Sequence, residues 1–253
     1  MSSRIDASTD DIRRSVGVPD EAAFTATGWS YVVADRGAAV YQGVVGLEGT
    51  AAGTYNALYW EGSTDGAMRV ESGAAGANFA SRPAVGTWFF WALTSTTAGA
   101  GSLIGYWSAA NSSTFVTAST TGQASTTNLL MWGNDSVGSW MDGRLAAIKV
   151  WDAVLTQAEI EAEKWKRIPA RWANSHLWNP LFNATDLSDY SGNGRTLTAT
   201  GTLTTEDGPP VPWGFSRQKG DATVAAAAGV FTRIVSPGSG PGMRLAGRGG
   251  LAG

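Results

Sequence analysis

From Phe24 onward, apolar residues recur in short runs that alternate with, or are bounded by, Gly, Thr and Asn. "WSYVVAD" (29–35), "AAVYQGVVGL" (38–47), "YNALYWEG" (55–62) and "GAMRVES" (66–72) come first. "GTWFFWALTS" (86–95), "GSLIGYWSA" (101–109), "STFVTAS" (113–119), "NLLMWGN" (128–134) and "GRLAAIKVWD" (143–152) follow. Runs of this length, rich in aromatic and β-branched residues and spaced by roughly 10 to 15 residues, predict strands of an antiparallel sandwich. "WFFWAL" is apolar at every position, so it predicts a central strand covered on both faces.

One stretch has a different period. Thr156-Gln157-Ala158-Glu159 has the form of a capping box. The Thr hydroxyl accepts from the Glu159 amide while the Glu carboxylate reaches back to the Thr156 amide. Ala158, Ala162 and Trp165 fall on one helical face, and Pro169 ends the helix. Beyond it, Trp178, Leu181 and Phe182 read as a strand, "SGNG" as a tight turn, and "RTLTATGTLT" as a further β run. Residues 1–23 are polar without periodicity and read as an N-terminal arm. Residues 214–253 hold three Gly-rich clusters and little apolar bulk, and read as a C-terminal arm. The expected architecture is an all-β, antiparallel two-sheet jelly-roll sandwich over residues 24–213, with one short capped helix and extended terminal arms.

Composition sharpens this picture. Charged residues make up 15% of the 253, against roughly 25% in an average soluble domain, so Thr, Ser and Asn must supply much of the polar surface. Twelve Trp and eight Phe provide large rings for a core between sheets. With no cysteine, disulfides and thiolate metal sites are excluded. The N-terminal stretch lacks the apolar core of a signal peptide, and no apolar run reaches membrane-spanning length. Residues 214–253 carry Arg217, Lys219, Arg233, Arg244 and Arg248 against Asp221, a net of +4, which leaves −7 of the chain's −3 on the rest. A basic arm on an acidic body predicts docking onto something negative, including a neighbouring copy.

Three motifs carry a family resemblance. "WMDGRLAAIKVWDAVLTQAEI" resembles the closing turn, strand and capped helix of laminin-G-like, concanavalin-A-like jelly rolls. "GTWFFWALTS" is similar to that family's Gly-x-Trp strand, and "DLSDYSGNGRTLTATG" to its Asp-x-Ser-Gly-Asn-Gly turn. That last motif usually opens such a domain; here it follows the helix, as if the closing strands came from the C-terminal side. The family's Ile-Asp-Glu-Val-Arg strand reads "LAAIK", so Ala146 and Ala147 stand where two carboxylates would. The family's calcium or sugar binding is therefore not carried over. With arms and no signal peptide, the chain resembles bacteriophage virion proteins more than secreted lectins.

Candidate chemistry is sparse. His176 is the only histidine, and no Gly-x-Ser-x-Gly elbow accompanies it, so a structural role is favoured over general-base catalysis. Glycoside hydrolysis needs carboxylates converging on one bond, whereas Glu159, Glu161 and Glu163 lie two apart on the predicted helix and point apart. No catalytic, metal or cofactor residue is therefore assigned. Calcium could find oxygens at Asp142, Asp186 or Asp189, but turn capping is the favoured role for each. Trp60, Trp107 and Trp132 near strand ends are candidate glycan contacts. No phosphate loop, nucleic-acid patch or membrane span appears.

In the arm, "VFTRIV" alternates well enough to add to a sheet edge, while Arg244 and Arg248 can fork onto carboxylates. Val230, Phe231, Arg233, Ile234, Arg244 and Arg248 are thus the expected partner contacts. The expected function is a non-catalytic virion structural protein, in capsid decoration or a tail or baseplate, held to neighbouring subunits and to its own copies in a homo-oligomer. The alternative is a carbohydrate-binding module for host-surface glycans.

Overall fold

The computed structural model describes residues 1–19, 23–37, 40–50, 53–62, 67–73, 75–96, 99–123, 127–134 and 139–211. The strands run, in chain order, β1 (Ser2–Ile5), β2 (Asp11–Arg14), β3 (Phe24–Val32), β4 (Val40–Gly49) and β5 (Tyr55–Gly62). β6 (Met68–Ser72), β7 (Gly76–Asn78), β8 (Trp88–Ser95), β9 (Gly99–Ala109) and β10 (Val116–Gly122) come next. β11 (Thr127–Trp132) and β12 (Gly143–Trp151) lead to the helix α1 (Gln157–Lys164), then β13 (Ser175–Asn179), β14 (Thr198–Thr200) and β15 (Thr204–Glu206).

The strands form two antiparallel sheets, ordered β10-β9-β8-β3-β12-β1-β15 and β14-β2-β11-β4-β5-β6-β7, with β13 also paired to β12. This is a two-sheet jelly-roll sandwich with one helix. The main core lies between the sheets. Phe89, Trp91 and Leu93 of β8 enter it with Phe24, Trp60, Trp132, Leu145 and Ile148. The intervening Trp88, Phe90 and Ala92 join a second cluster with Trp29, Trp151, Leu155 and Ile160. "WFFWAL" is apolar throughout because α1 and its approach cover the sheet's other face. Gly28 makes room for this packing: a Cβ there would lie 2.6 Å from Cζ2 of Trp91.

The capping box forms as expected. Glu159 N donates to Thr156 Oγ1 at 3.3 Å, and Thr156 N donates to Glu159 Oε2 at 2.8 Å. The helix face does not. Ala158, Ala162 and Trp165 are exposed, and Ile160, Glu163 and Lys164 are buried. The buried face carries two charges, so its apolar pattern is weak and the alanine stripe misleads.

The N-terminal residues are not an arm. β1 lies between β12 and β15, and β2 between β11 and β14. Ile5 and Ile12 are fully buried core residues. The surrounding polar residues build turns: Asp10 accepts from the amides of Asp6, Ala7 and Thr202, and Asp11 pairs with Arg13. The run "RTLTATGTLT" is likewise not one strand. It turns at Gly201 (φ 79), so that β14 joins one sheet and β15 the other. Side chains at Ala146 and Ala147 are buried where β12 bulges, with Ala147 at φ 50. Carboxylates at these positions would have to be desolvated.

Candidate functional site

A groove of about 550 Å³ opens at one end of the larger sheet, within the size range of small-ligand sites. Register brings its walls together. Tyr31 pairs with Trp88, and Phe89 pairs with Ala109, so the end of β3, the start of β8 and the end of β9 meet at one rim. Tyr31 and the largely buried Trp88 and Trp107 give the groove its aromatic lining; Arg82, Thr87 and Asn111 supply polar groups. The Tyr31 and Trp88 rings lie 5.5 Å apart at 57°. The Arg144 guanidinium covers Tyr31 at 4.8 Å and pairs with Glu206 at 2.8 Å.

Buried indoles fix the loop that carries Arg82. Trp107 Nε1 donates to Ser81 O and Trp60 Nε1 to Pro83 O, each at 3.1 Å. Arg82 lies over the Trp60 ring at 4.1 Å and reaches Asp35 at 3.1 Å. The loop closes through Gly86 (φ 77), whose amide donates to Val32 O at 2.8 Å. The groove is therefore held in shape by bonds already made, so a ligand meets little ordering cost.

The expected glycan contacts fare differently. Trp60 and Trp132 are fully buried in the core, and no face of either can stack on a sugar. Trp107 is mostly buried and lines the groove. Tyr31, Trp88 and Arg82 were missed because strand register, which assembles them, is not written in any local motif. A faint signal exists in "SRPAVGTW", where a turn-rich stretch sets an aromatic at the first position of a strand.

The remaining candidates have structural partners. His176 is buried between Asp152 (Nδ1 to Oδ2, 2.8 Å) and Gly17 O (Nε2, 2.8 Å). A ring facing two acceptors presents no lone pair to a substrate. Asp189 accepts from the amides of Trp178, Ser191 and Arg195 and from Ser191 Oγ. Burial alone would raise its carboxyl, but the Arg195 amide and the other donors hold it below the ordinary range. Asp186 accepts from Ser188 N and Tyr190 OH, and Asp142 pairs with Arg4 at 2.5 Å. Among the described residues no group of three or more His, Asp or Glu gathers to hold a metal. Glu163 is buried on Lys149, while Glu159 pairs with Arg171 at 2.9 Å. The arm residues Val230, Phe231, Arg233, Ile234, Arg244 and Arg248 lie outside the described residues.

The architecture is that of an antiparallel two-sheet jelly roll. Two solved structures share this architecture. A heptameric pentraxin from Limulus polyphemus aligns over 80% of this chain and 92% of its own at 10% identity, with a TM-score of 0.52. A candidate carbohydrate-binding protein from Bacteroides ovatus aligns over 79% of this chain at 15% identity, with a TM-score of 0.54, and the match spans 61% of that protein's length. Tailspike protein 2 of bacteriophage CBA120 also aligns, over 67% of this chain and 28% of its own at 11% identity, with a TM-score of 0.47. No family model matches the chain, and no curated protein matches it. Likeness at this identity establishes the fold alone.

Proposed function

We propose that this chain is a non-catalytic structural component of a bacteriophage virion whose jelly roll binds carbohydrate in the groove, with residues 214–253 fastening it to neighbouring subunits. The observation that carries the reading is the preformed groove: Tyr31 and the largely buried Trp88 and Trp107 line it, with Arg82, Thr87 and Asn111 beside them. That mixture suits a sugar, which has apolar C–H faces and hydroxyl edges. Its non-catalytic character is supported by the structural partners of Lys149, Glu163, Lys164 and His176. Sharing a fold with a candidate carbohydrate-binding protein and with a heptameric pentraxin accords with a binding module that acts as an oligomer. The +4 charge of residues 214–253 on an acidic body supports attachment through that segment.

Retention of the full chain on an immobilised glycan panel tests the groove. Asn111→Ala with Arg82→Ala is expected to weaken retention about tenfold, the factor that 1.4 kcal/mol represents. Unchanged retention of the double variant contradicts the groove as the site. For the attachment role, phage assembled with the chain cut after Trp213 should lack it, and normal incorporation contradicts that role.

A further inference from the structure

Among the described residues, the large aromatic side chains most open to solvent lie outside the groove: Trp172 at 50%, Trp165 at 39% and Tyr190 at 37%. Of these, Trp172 and Tyr190 both pack on Trp178, which is 4% exposed. The Trp172 and Trp178 ring centroids lie 5.8 Å apart at 88°, and those of Trp178 and Tyr190 5.6 Å apart at 57°. Trp178 lies on β13, facing away from the main core that its neighbour Leu177 enters.

Trp178, Tyr190 and the backbone on either side of Trp172 are held in place. Trp178 Nε1 donates to Arg167 O at 3.1 Å. Tyr190 N donates to Trp178 O at 2.8 Å, and its hydroxyl donates to Asp186 Oδ2 at 2.5 Å. Before Trp172, the Ala170 and Arg171 amides donate to Glu163 Oε1 at 2.7 and 2.9 Å, and Trp151 Nε1 donates to Arg171 O at 2.8 Å. Ser175 N closes the turn onto Trp172 O at 3.0 Å.

We propose that Trp172 and Tyr190, backed by Trp178, form a second carbohydrate site that takes a neutral pyranose chain; this extends the binding reading above to a separate surface. The size of the patch selects the ligand. The exposed parts of the two rings amount to roughly 130–220 Å² if each full ring offers 150–250 Å², far below the ~800 Å² per partner of a stable protein interface. A pyranose matches that scale. Its C–H face lies against the electron-rich ring face, and its hydroxyls reach the rim, where the Asp186 carboxylate accepts. The same carboxylate repels an acidic sugar. Because the rings are already fixed, stacking orders only the ligand.

The test uses the full chain and neutral hexaoses of glucose (α- and β-1,4-linked) and of N-acetylglucosamine, observed by saturation-transfer NMR and titration. Binding of at least one hexaose, weakened about tenfold by Trp172→Ala and by Tyr190→Ala but retained in Trp172→Tyr, is expected. Both alanine changes are at exposed positions, and a thermal melt confirms that each variant folds. Binding that survives both alanine variants but falls in Asn111→Ala with Arg82→Ala overturns this site and leaves the groove. Loss in the alanine variants alone supports this site and removes the groove. Absence of any hexaose binding overturns it, as does self-association abolished by Trp172→Ala in a chain that binds no hexaose.

Discussion

Lys149 Nζ lies 2.7 Å from Glu163 Oε2, and both side chains are shut off from solvent. The ammonium also donates to the carbonyls of Glu163, Lys166 and Ile168 at 3.1, 2.6 and 3.4 Å. The second carboxylate oxygen of Glu163 takes the Ala170 and Arg171 amides. One buried ion pair thus ties β12, the end of α1 and the loop leading to Trp172 into a single unit. Burial draws Lys149 down to about 8, against the opposing pull of Glu163.

Removing one partner of this pair leaves the other charge buried and uncompensated. Lys149→Met is expected to cost about 3–5 kcal/mol in denaturant unfolding. A loss below about 1 kcal/mol contradicts the pairing.

Lys164 gives the pH dependence. Its Nζ donates to Ser108 Oγ at 2.8 Å, to Ala109 O at 2.6 Å and to Ser112 O. Burial lowers it to about 8 from 10.5, with Glu161 opposing. Between those values the unfolded chain binds more protons than the folded one, so this position's contribution to stability rises with pH across the window. The unfolding free energy of the wild-type chain minus that of Lys164→Met should therefore rise from about pH 8 to about pH 10. A difference that falls over that range contradicts the burial of this ammonium.

The helix start predicts a smaller effect. Thr156→Ala removes the acceptor for Glu159 N and half of the reciprocal pair, and should cost about 1 kcal/mol in thermal or denaturant melts. No measurable change means that the helix does not depend on this cap.

Gly28 tests the packing of the two clusters. The Trp91 ring cannot retreat easily, because Trp91 is fully buried and its Nε1 donates to Ser30 Oγ at 2.9 Å. Gly28→Ala should cost about 1–3 kcal/mol by overpacking. A neutral change in denaturant midpoint contradicts the close approach.

Where local pattern and tertiary demand agree, the sequence is readable. The two-faced "WFFWAL" strand, the capping box and the SGNG turn follow from periodicity and from the hydrogen-bonding reach of Thr, Glu and Asp. Ile5 and Ile12 escaped notice because a single apolar residue in each four-residue strand makes no period, and Asp and Arg surround them. The α1 face was misjudged because its buried positions are Glu163 and Lys164, whose burial depends on Lys149 and on Ser108 to Ser112, far off in sequence. Trp60 and Trp132 illustrate the same limit. A strand-end tryptophan in sequence can be a core residue in space, while Trp172 and Tyr190, outside the strands, reach solvent.

Binding without turnover is the property to measure. The full chain is incubated with a polysaccharide panel, and retained protein and released reducing ends are read from the same samples. Retention on at least one polysaccharide with no release above the blank is the predicted result. Release of reducing ends that is abolished by Glu159→Gln or Glu161→Gln would contradict it.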